Sequence, residues 1–194
     1  IKADSSDNVI NFYYYKNVEL TANSDEKTYN GNEHSVSGFT GAPEGSDFSA
    51  IKVGASGTDV GTYTAAFAEG TVGTVDTTEK YIVTAANPGT LTINKRNVVL
   101  TSETASKEYD GTALTKPVVA VTGDGFVAGE VTDIKATGTI TDVGSVTNTI
   151  DFTKGSNFKE SNYAITKKEG KLSITAATAK VTVTITGNKV TETY

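Results

Sequence analysis

"KYIVTAANPGTLTI" (residues 80–93) and the residue that follows it carry the first firm structural signal in this chain. Its end, "TLTIN" (90–94), alternates apolar and polar residues, the signature of a strand with one face in water. The same wording returns as "NYAITKKEGKLSI" at 162–174, with "KLSIT" (171–175) alternating in the same way. A strand written twice at this distance points to an internal repeat.

Working outward, the match extends in both directions. "VELT" (18–21) recurs as "VVLT" (98–101), "KTYNG" (27–31) as "KEYDG" (107–111), and "TDVGT" (58–62) as "TDVGS" (141–145). The offsets run from 80 to 83 in unchanged order, so the unit is one of small-domain size. The expected organisation is a terminal strand or linker from a preceding module at 1–17, repeat 1 at 18–96, repeat 2 at 97–178, and the start of a third repeat at 179–194. "INKRN" (93–97) is a short junction without Gly/Ser or Pro-rich slack. "KVTVTIT" (180–186) reads as another half-buried strand, and Tyr194 stands where Tyr29 and Tyr109 stand. The start at Ile1, without methionine or signal peptide, leads us to expect a segment of a longer tandem array.

No stretch shows helical periodicity over three turns, and Gly, Asn and Asp punctuate the chain every eight to twelve residues. The fold class is therefore expected to be all-β, as two tandem small immunoglobulin-like β-sandwich modules arranged end to end. Threonine, at 33 of 194 residues, suits strands with one face in solvent. There is no cysteine, so no disulfide framework is available and a core or another staple must hold each unit. No run of 18 apolar residues occurs. A net charge of −6, spread along the chain, argues against a nucleic-acid backbone as partner. We expect a monomer.

The residues that carry chemistry elsewhere read here as architecture. Asn30-Gly31 and Asp110-Gly111 are expected to form type I′ hairpin turns, with Tyr29 and Tyr109 ending strands and covering the domain edge. Asp59, Gly61 and Tyr63 fit the tyrosine corner of immunoglobulin sandwiches, in which the hydroxyl bonds nearby backbone. The second copy keeps Asp142 and Gly144 but places Val146 at the tyrosine position. The simplest common reading is a strand preceded by a tight Asp-x-Gly turn. His34, the only histidine, lacks partners for a zinc site or a triad and reads as a solvated surface residue. Asp124, Glu130 and Asp133 crowd one loop, but their spacing matches no calcium loop, and "GAPEGSDFSA" (41–50) keeps only part of the acidity. "FYYYK" (12–16) alternates its rings between two faces, which fits a strand better than a stacking platform. No nucleophile–base pair, phosphate loop or nucleophile elbow is present, so no catalytic, cofactor-binding or metal residues are assigned and no enzyme is expected.

With these motifs in place, the chain resembles the bacterial surface-protein repeats known as MBG and YDG domains. The carrying residues are Tyr-Asn/Asp-Gly at 29–31 and 109–111, Asp-Val-Gly at 59–61 and 142–144, Asn-Tyr-x-Ile-Thr at 162–166, and the closing "GTLTINK" (89–95) and "GKLSIT" (170–175). Lys80-Tyr81 replaces the usual Asn-Tyr in the first copy. The opening "DSSDNVINFYYYKN" (4–17) is similar to the last strand of mucin-binding-protein-like or β-grasp repeats of Gram-positive surface proteins. The resemblance implies an extracellular, cell-surface or wall-attached adhesin. Within it, these repeats would serve as a stalk that projects a distal binding domain, with neighbouring repeats as their partners. The alternative is a binding module whose loops recognise host glycan or protein directly. Relatives of this kind also suggest a Lys–Asn crosslink as a staple, with Lys107 and Asn162 as partners and Glu108 or Asp110 as the acid. Lys80 stands opposite Asn162 in the alignment, so the first copy cannot repeat that pair even though it keeps Lys27.

Overall fold

The computed structural model describes residues 14–178 together with Thr186 and Gly187. The alternating stretches at 90–94 and 171–175 are strands, and the described residues contain no α-helix. The expected strand at 180–186, save Thr186, and the position of Tyr194 lie outside the described residues. The chain divides into two compact units, and these do not follow the sequence copies throughout. The first takes in residues up to Val98 together with Asp124–Ala128 and Asn157–Ala164; the second holds Val99–Gly123, Gly129–Ser156 and the chain from Ile165 onward.

In the first unit the strands are β1 (Lys16–Ala22), β2 (Asp25–Thr28), β3 (His34–Ser37), β4 (Phe39–Thr40), β5 (Val53–Gly57), β6 (Gly61–Phe67), β7 (Tyr81–Asn87) and β8 (Gly89–Asn94). One sheet has the order β4-β1-β7 and the other β2-β8-β6-β5-β3. β1 runs parallel to β7, with Val18 beside Val83, and β2 runs parallel to β8, with Lys27 beside Ile93. The remaining pairs, β1–β4, β8–β6, β6–β5 and β5–β3, are antiparallel. Lys16 and Asn17, read from sequence as the end of a preceding module, pair with Tyr81 and Ile82 and so open β1.

Alternation decides which side chains go inward. Val18, Leu20 and Ala22 of β1 are buried while Glu19 and Thr21 are exposed; Leu91 and Ile93 of β8 are buried while Thr90 is exposed. Each fully buried Leu or Ile contributes about 1.5–3 kcal/mol of transfer free energy. Val18, Leu20 and Val83 form a cluster with Phe48, which the 41–52 loop inserts, and with Phe39, Ile51, Phe67 and Tyr81 around it. Packing of that core residue joins backbone bonds from Thr77 N to the Asp47 carbonyl (3.2 Å) and from Ala68 N to the Lys52 carbonyl (3.1 Å) in holding the loop.

β1 passes to β2, and β7 to β8, by leaving one sheet for the other, and the two parallel segments make that crossing side by side. The backbones come so close that a Cβ on Gly89 would sit 2.3 Å from the Asn23 carbonyl oxygen. The Ser24 hydroxyl accepts from Thr90 N at 3.0 Å and fastens the crossing.

The later strands are β9 (Arg96–Ser102), β10 (Ala105–Glu108), β11 (Leu114–Thr115), β12 (Val119–Gly123), β13 (Val131–Ala136), β14 (Thr139–Ile140), β15 (Gly144–Asn148), β16 (Ile150–Lys154), β17 (Tyr163–Lys168) and β18 (Gly170–Thr175). They form the sheets β12-β9-β17, β10-β18-β15, β11-β14 and β13-β16. β10 is parallel to β18 and β15 antiparallel to it, matching β2-β8-β6 of the first copy. The crossing recurs as well. A Cβ on Gly170 would lie 2.2 Å from the Glu103 carbonyl oxygen, and Lys171 N donates to Thr104 Oγ1 at 3.1 Å.

Two local expectations give way. Asn30-Gly31 and Asp110-Gly111 close no hairpin, because β2 pairs with β8 and β3 with β5, while β10 pairs with β18 and β11 with β14. Nor are the turns of type I′: Gly31 (φ 83°) and Gly111 (φ 75°) are left-handed, whereas Asn30 and Asp110 are not. The Asx side chain makes the turn instead, accepting from the backbone two residues on: Asn32 N to Asn30 Oδ1 and Thr112 N to Asp110 Oδ1, both at 2.9 Å. The Asp-x-Gly reading does better. β6 begins at Gly61 and β15 at Gly144, and the Tyr63 hydroxyl donates to the Asp59 carbonyl at 2.8 Å as a corner brace.

Candidate functional site

The densest polar and aromatic constellation lies in the first unit, around the junction that follows β8. Arg96, the chain's only arginine, is half-buried. Its Nε donates to the Gly125 carbonyl at 2.7 Å, Nη2 to the Asp124 carbonyl at 2.5 Å and Nη1 to the Tyr29 carbonyl at 3.3 Å. A planar fork spreads its fixed donors over separate nitrogens and so ties three carbonyls in set directions, where a lysine offers one point charge on a flexible stem. Asp124 closes the arrangement: its Oδ2 accepts from Asn97 N at 2.9 Å, and its N donates to the Asn97 carbonyl at 2.8 Å.

Beside this clamp the Tyr29 ring is buried, edge-on to Tyr163 with centroids 5.6 Å apart. Phe158 stacks on Tyr163 at 5.3 Å, and Phe126 leans on both. The Tyr163 hydroxyl accepts from Val127 N at 3.1 Å, so the polar end of a buried ring is satisfied. Tyr29 therefore does not cover an edge as expected from sequence, whereas Tyr109 stays partly exposed.

A second polar knot lies at the tyrosine corner. Asn162, fully buried at the end of the 3-10 turn Glu160–Asn162, accepts from Val60 N and donates to Asp59 Oδ1, both at 2.9 Å. Lys159 Nζ reaches Asp59 Oδ2 at 2.5 Å. Lys159 and then Asn162 hold the Asp59 carboxyl below the usual carboxylate range. The ion pair is exposed and worth about 0–1 kcal/mol, so the buried amide is the stronger tie.

In the second unit, Lys107 Nζ donates to Asp110 Oδ1 at 2.8 Å and to the carbonyl and hydroxyl of Thr112 at 2.7 Å each. Lys107 and then Thr112 hold the Asp110 carboxyl well below the carboxylate range. Of the residues considered from sequence for a crosslink, Lys107 is bound in this turn and Asn162 is engaged by Asp59 and Val60. In the first copy the turn residue is the neutral Asn30, and Lys27 pairs with Asp25 at 2.9 Å instead.

The remaining sequence candidates are scattered. His34 is not a solvated surface residue: it is half-buried on β3, and its Nε2 is enclosed without a hydrogen-bond partner. Glu130 is buried, Asp133 (φ 53°) pairs with Lys135 at 2.7 Å, and Asp124 belongs to the clamp, so the acidic loop does not converge. Among the described residues no three His, Cys, Asp or Glu side chains are placed to hold a metal. An open apolar groove of about 410 Å³ runs along Thr64, Phe67, Val72, Ala86 and Pro88.

Sequence reasoning missed Arg96, Asn148 and Asp76. Asn148 is buried, with Nδ2 donating to the Glu103 and Lys116 carbonyls at 3.1 and 2.9 Å and Oδ1 accepting from Gly138 N at 3.2 Å. It lies opposite Gly170, where the first copy places Ala65 opposite Gly89. Asp76 organises the turn before β7. Burial pushes its carboxyl up, but the Thr78 hydroxyl and the amides of Tyr81, Lys80 and Thr78 outweigh that and leave it well below the carboxylate range. Only Arg96 carried a sequence signal, as a lone arginine in a lysine-rich chain.

These groups can orient backbone, and none forms a nucleophile–base pair. Comparison with protein-family models, with characterised proteins and with solved structures found no match to this chain. No helix among the described residues is long and apolar enough to cross a membrane.

Proposed function

We propose that this chain is a tandem-repeat segment of a bacterial cell-surface adhesin, built from two small immunoglobulin-like modules that act as a spacer for a distal binding domain. One observation carries the reading. The two copies share a strand scheme and a glycine-dependent crossing, at Gly89 with Asn23 and at Gly170 with Glu103, while their loops and polar side chains differ. Duplication that keeps backbone geometry and lets side chains drift is what a requirement for shape leaves behind, since a binding or catalytic site needs particular side chains. Small-angle scattering tests it: a largest dimension that grows by a constant increment for each added copy supports a spacer, and a constant dimension refutes it.

The apolar groove between Phe67 and Pro88 favours a second reading, in which the first copy grips a host glycan or protein. Glycan and host-protein arrays probed with the wild type and with Val72→Asp separate the two. Retained binding to nothing supports the spacer, and a signal abolished by the substitution supports the module.

A further inference from the structure

The two Tyr-Asx-Gly turns differ by one group: the first carries an amide at Asn30, the second a carboxylate at Asp110. Among the thirteen asparagines of the chain, only Asn30 precedes a glycine. Its residue is exposed to water, and Gly31, at φ 83°, presents no side chain to shield its own amide nitrogen. Asn32 N donates to Asn30 Oδ1 at 2.9 Å, a donor aimed where negative charge would collect if a nucleophile added to the side-chain carbonyl.

We infer that Asn30 is a self-modification site, at which the first copy's turn converts by deamidation into the form the second copy encodes. The Gly31 nitrogen, giving its proton to hydroxide, bonds to Asn30 Cγ. The carbonyl electron pair moves onto Oδ1 under the Asn32 N–H. That pair then returns, the Cγ–Nδ2 bond breaks, and the nitrogen leaves as ammonia after taking a proton from water. One water opens the resulting succinimide, giving aspartate where the Cγ–N bond is hydrolysed and isoaspartate where the main-chain carbonyl–N bond is. No oxidant or reductant is consumed.

The second copy shows what the aspartate form does. There the carboxylate gathers Lys107 Nζ and both Thr112 donors, whereas Asn30 gathers Asn32 N and leaves Lys27 to Asp25. Lys27 precedes Asn30 by the same three residues that separate Lys107 from Asp110. In the aspartate product Lys27 would re-pair from Asp25 to residue 30, adding a charge-assisted bond to a turn that lacked one. The inference stands independently of the spacer reading.

The experiment is incubation of the intact chain at neutral pH, followed by trypsin and mass spectrometry of peptide 28–52, whose only amide side chains are Asn30 and Asn32. The synthetic peptide of the same sequence is followed in parallel. Expected is an amide-to-acid mass change at Asn30 in the folded chain, at least as fast as in the free peptide. It should slow about tenfold or more in Gly31→Ala, whose methyl group hinders attack by the residue-31 nitrogen, and several-fold in Asn32→Pro, which lacks the N–H donor. Circular dichroism and the melting curve identify any variant that misfolds. A folded chain whose Asn30 stays intact while the peptide converts overturns the inference. So does conversion centred on Asn32, or a folded Asn32→Pro that converts at the wild-type rate.

Discussion

Replacing Gly170 with alanine tests the crossing of the two sheets at its tightest point. The new Cβ would lie 2.2 Å from the Glu103 carbonyl oxygen, 2.4 Å from its carbon and 2.7 Å from Thr104 N, all of them backbone atoms that cannot rotate away. The parallel segments must separate, at an overpacking cost of about 1–3 kcal/mol. Separation weakens the bonds from Gly170 N to Ser102 Oγ (2.9 Å) and from Lys171 N to Thr104 Oγ1 (3.1 Å), each contributing about 1 kcal/mol. Alanine also restricts the unfolded chain, which returns about 0.4–1 kcal/mol. The net loss is roughly 2–4 kcal/mol, or about 1–2 M in urea midpoint at a slope near 2 kcal/mol/M. Gly111→Ala is the control. That glycine has φ 75° and open space around its Cβ position, so it carries only the left-handed penalty of about 1–2 kcal/mol. Urea unfolding followed by far-ultraviolet circular dichroism reads both variants. If Gly170→Ala moves the midpoint no further than Gly111→Ala, steric contact at the crossing is not what holds the second unit, and the reasoning fails.

Asn148→Ala installs the residue that the first copy uses opposite its own crossing glycine, yet it should destabilise by about 2–4 kcal/mol by leaving Gly138 N and the Glu103 and Lys116 carbonyls short of partners; equilibrium unfolding checks it. Arg96→Lys keeps the charge but loses the fork, so amide exchange at Asp124 and Val127 should accelerate about tenfold or more, while a rate unchanged from wild type would deny the clamp. For Asp76 the folded-state carboxyl lies below its unfolded value of about 3.9, so its contribution is fully present above that pH and is lost as pH falls through the folded-state value. Acid titration of stability should therefore be shallower in Asp76→Asn than in the wild type, and parallel curves would refute the assignment.

The all-β class was legible because strand period and threonine faces are local properties, and "TLTIN" and "KLSIT" became β8 and β18. The tyrosine corner was legible for the same reason, since Tyr63 reaches a carbonyl only four residues away. The Asx-Gly turns were misread because the dipeptide fixes a local bend without saying which strands it joins. Parallel pairing of β2 with β8 is a long-range choice that the turn does not encode. The Arg96 clamp and the Asn162 knot were invisible because they join residues that are distant in the chain. Asn148 carries no local pattern that sets it apart, and only the fold buries it.

The direction of the pairing at the crossing has a mechanical consequence. A pull that draws β2 and β8 apart along their common axis loads the hydrogen bonds between Asp25–Thr28 and Leu91–Asn94 together, in shear. Antiparallel neighbours pulled open from one end, as β5 and β6 would be, unzip one bond at a time. Each copy has such a four-residue parallel ladder, β2 with β8 and β10 with β18, and under such a pull its bonds would fail together rather than in turn.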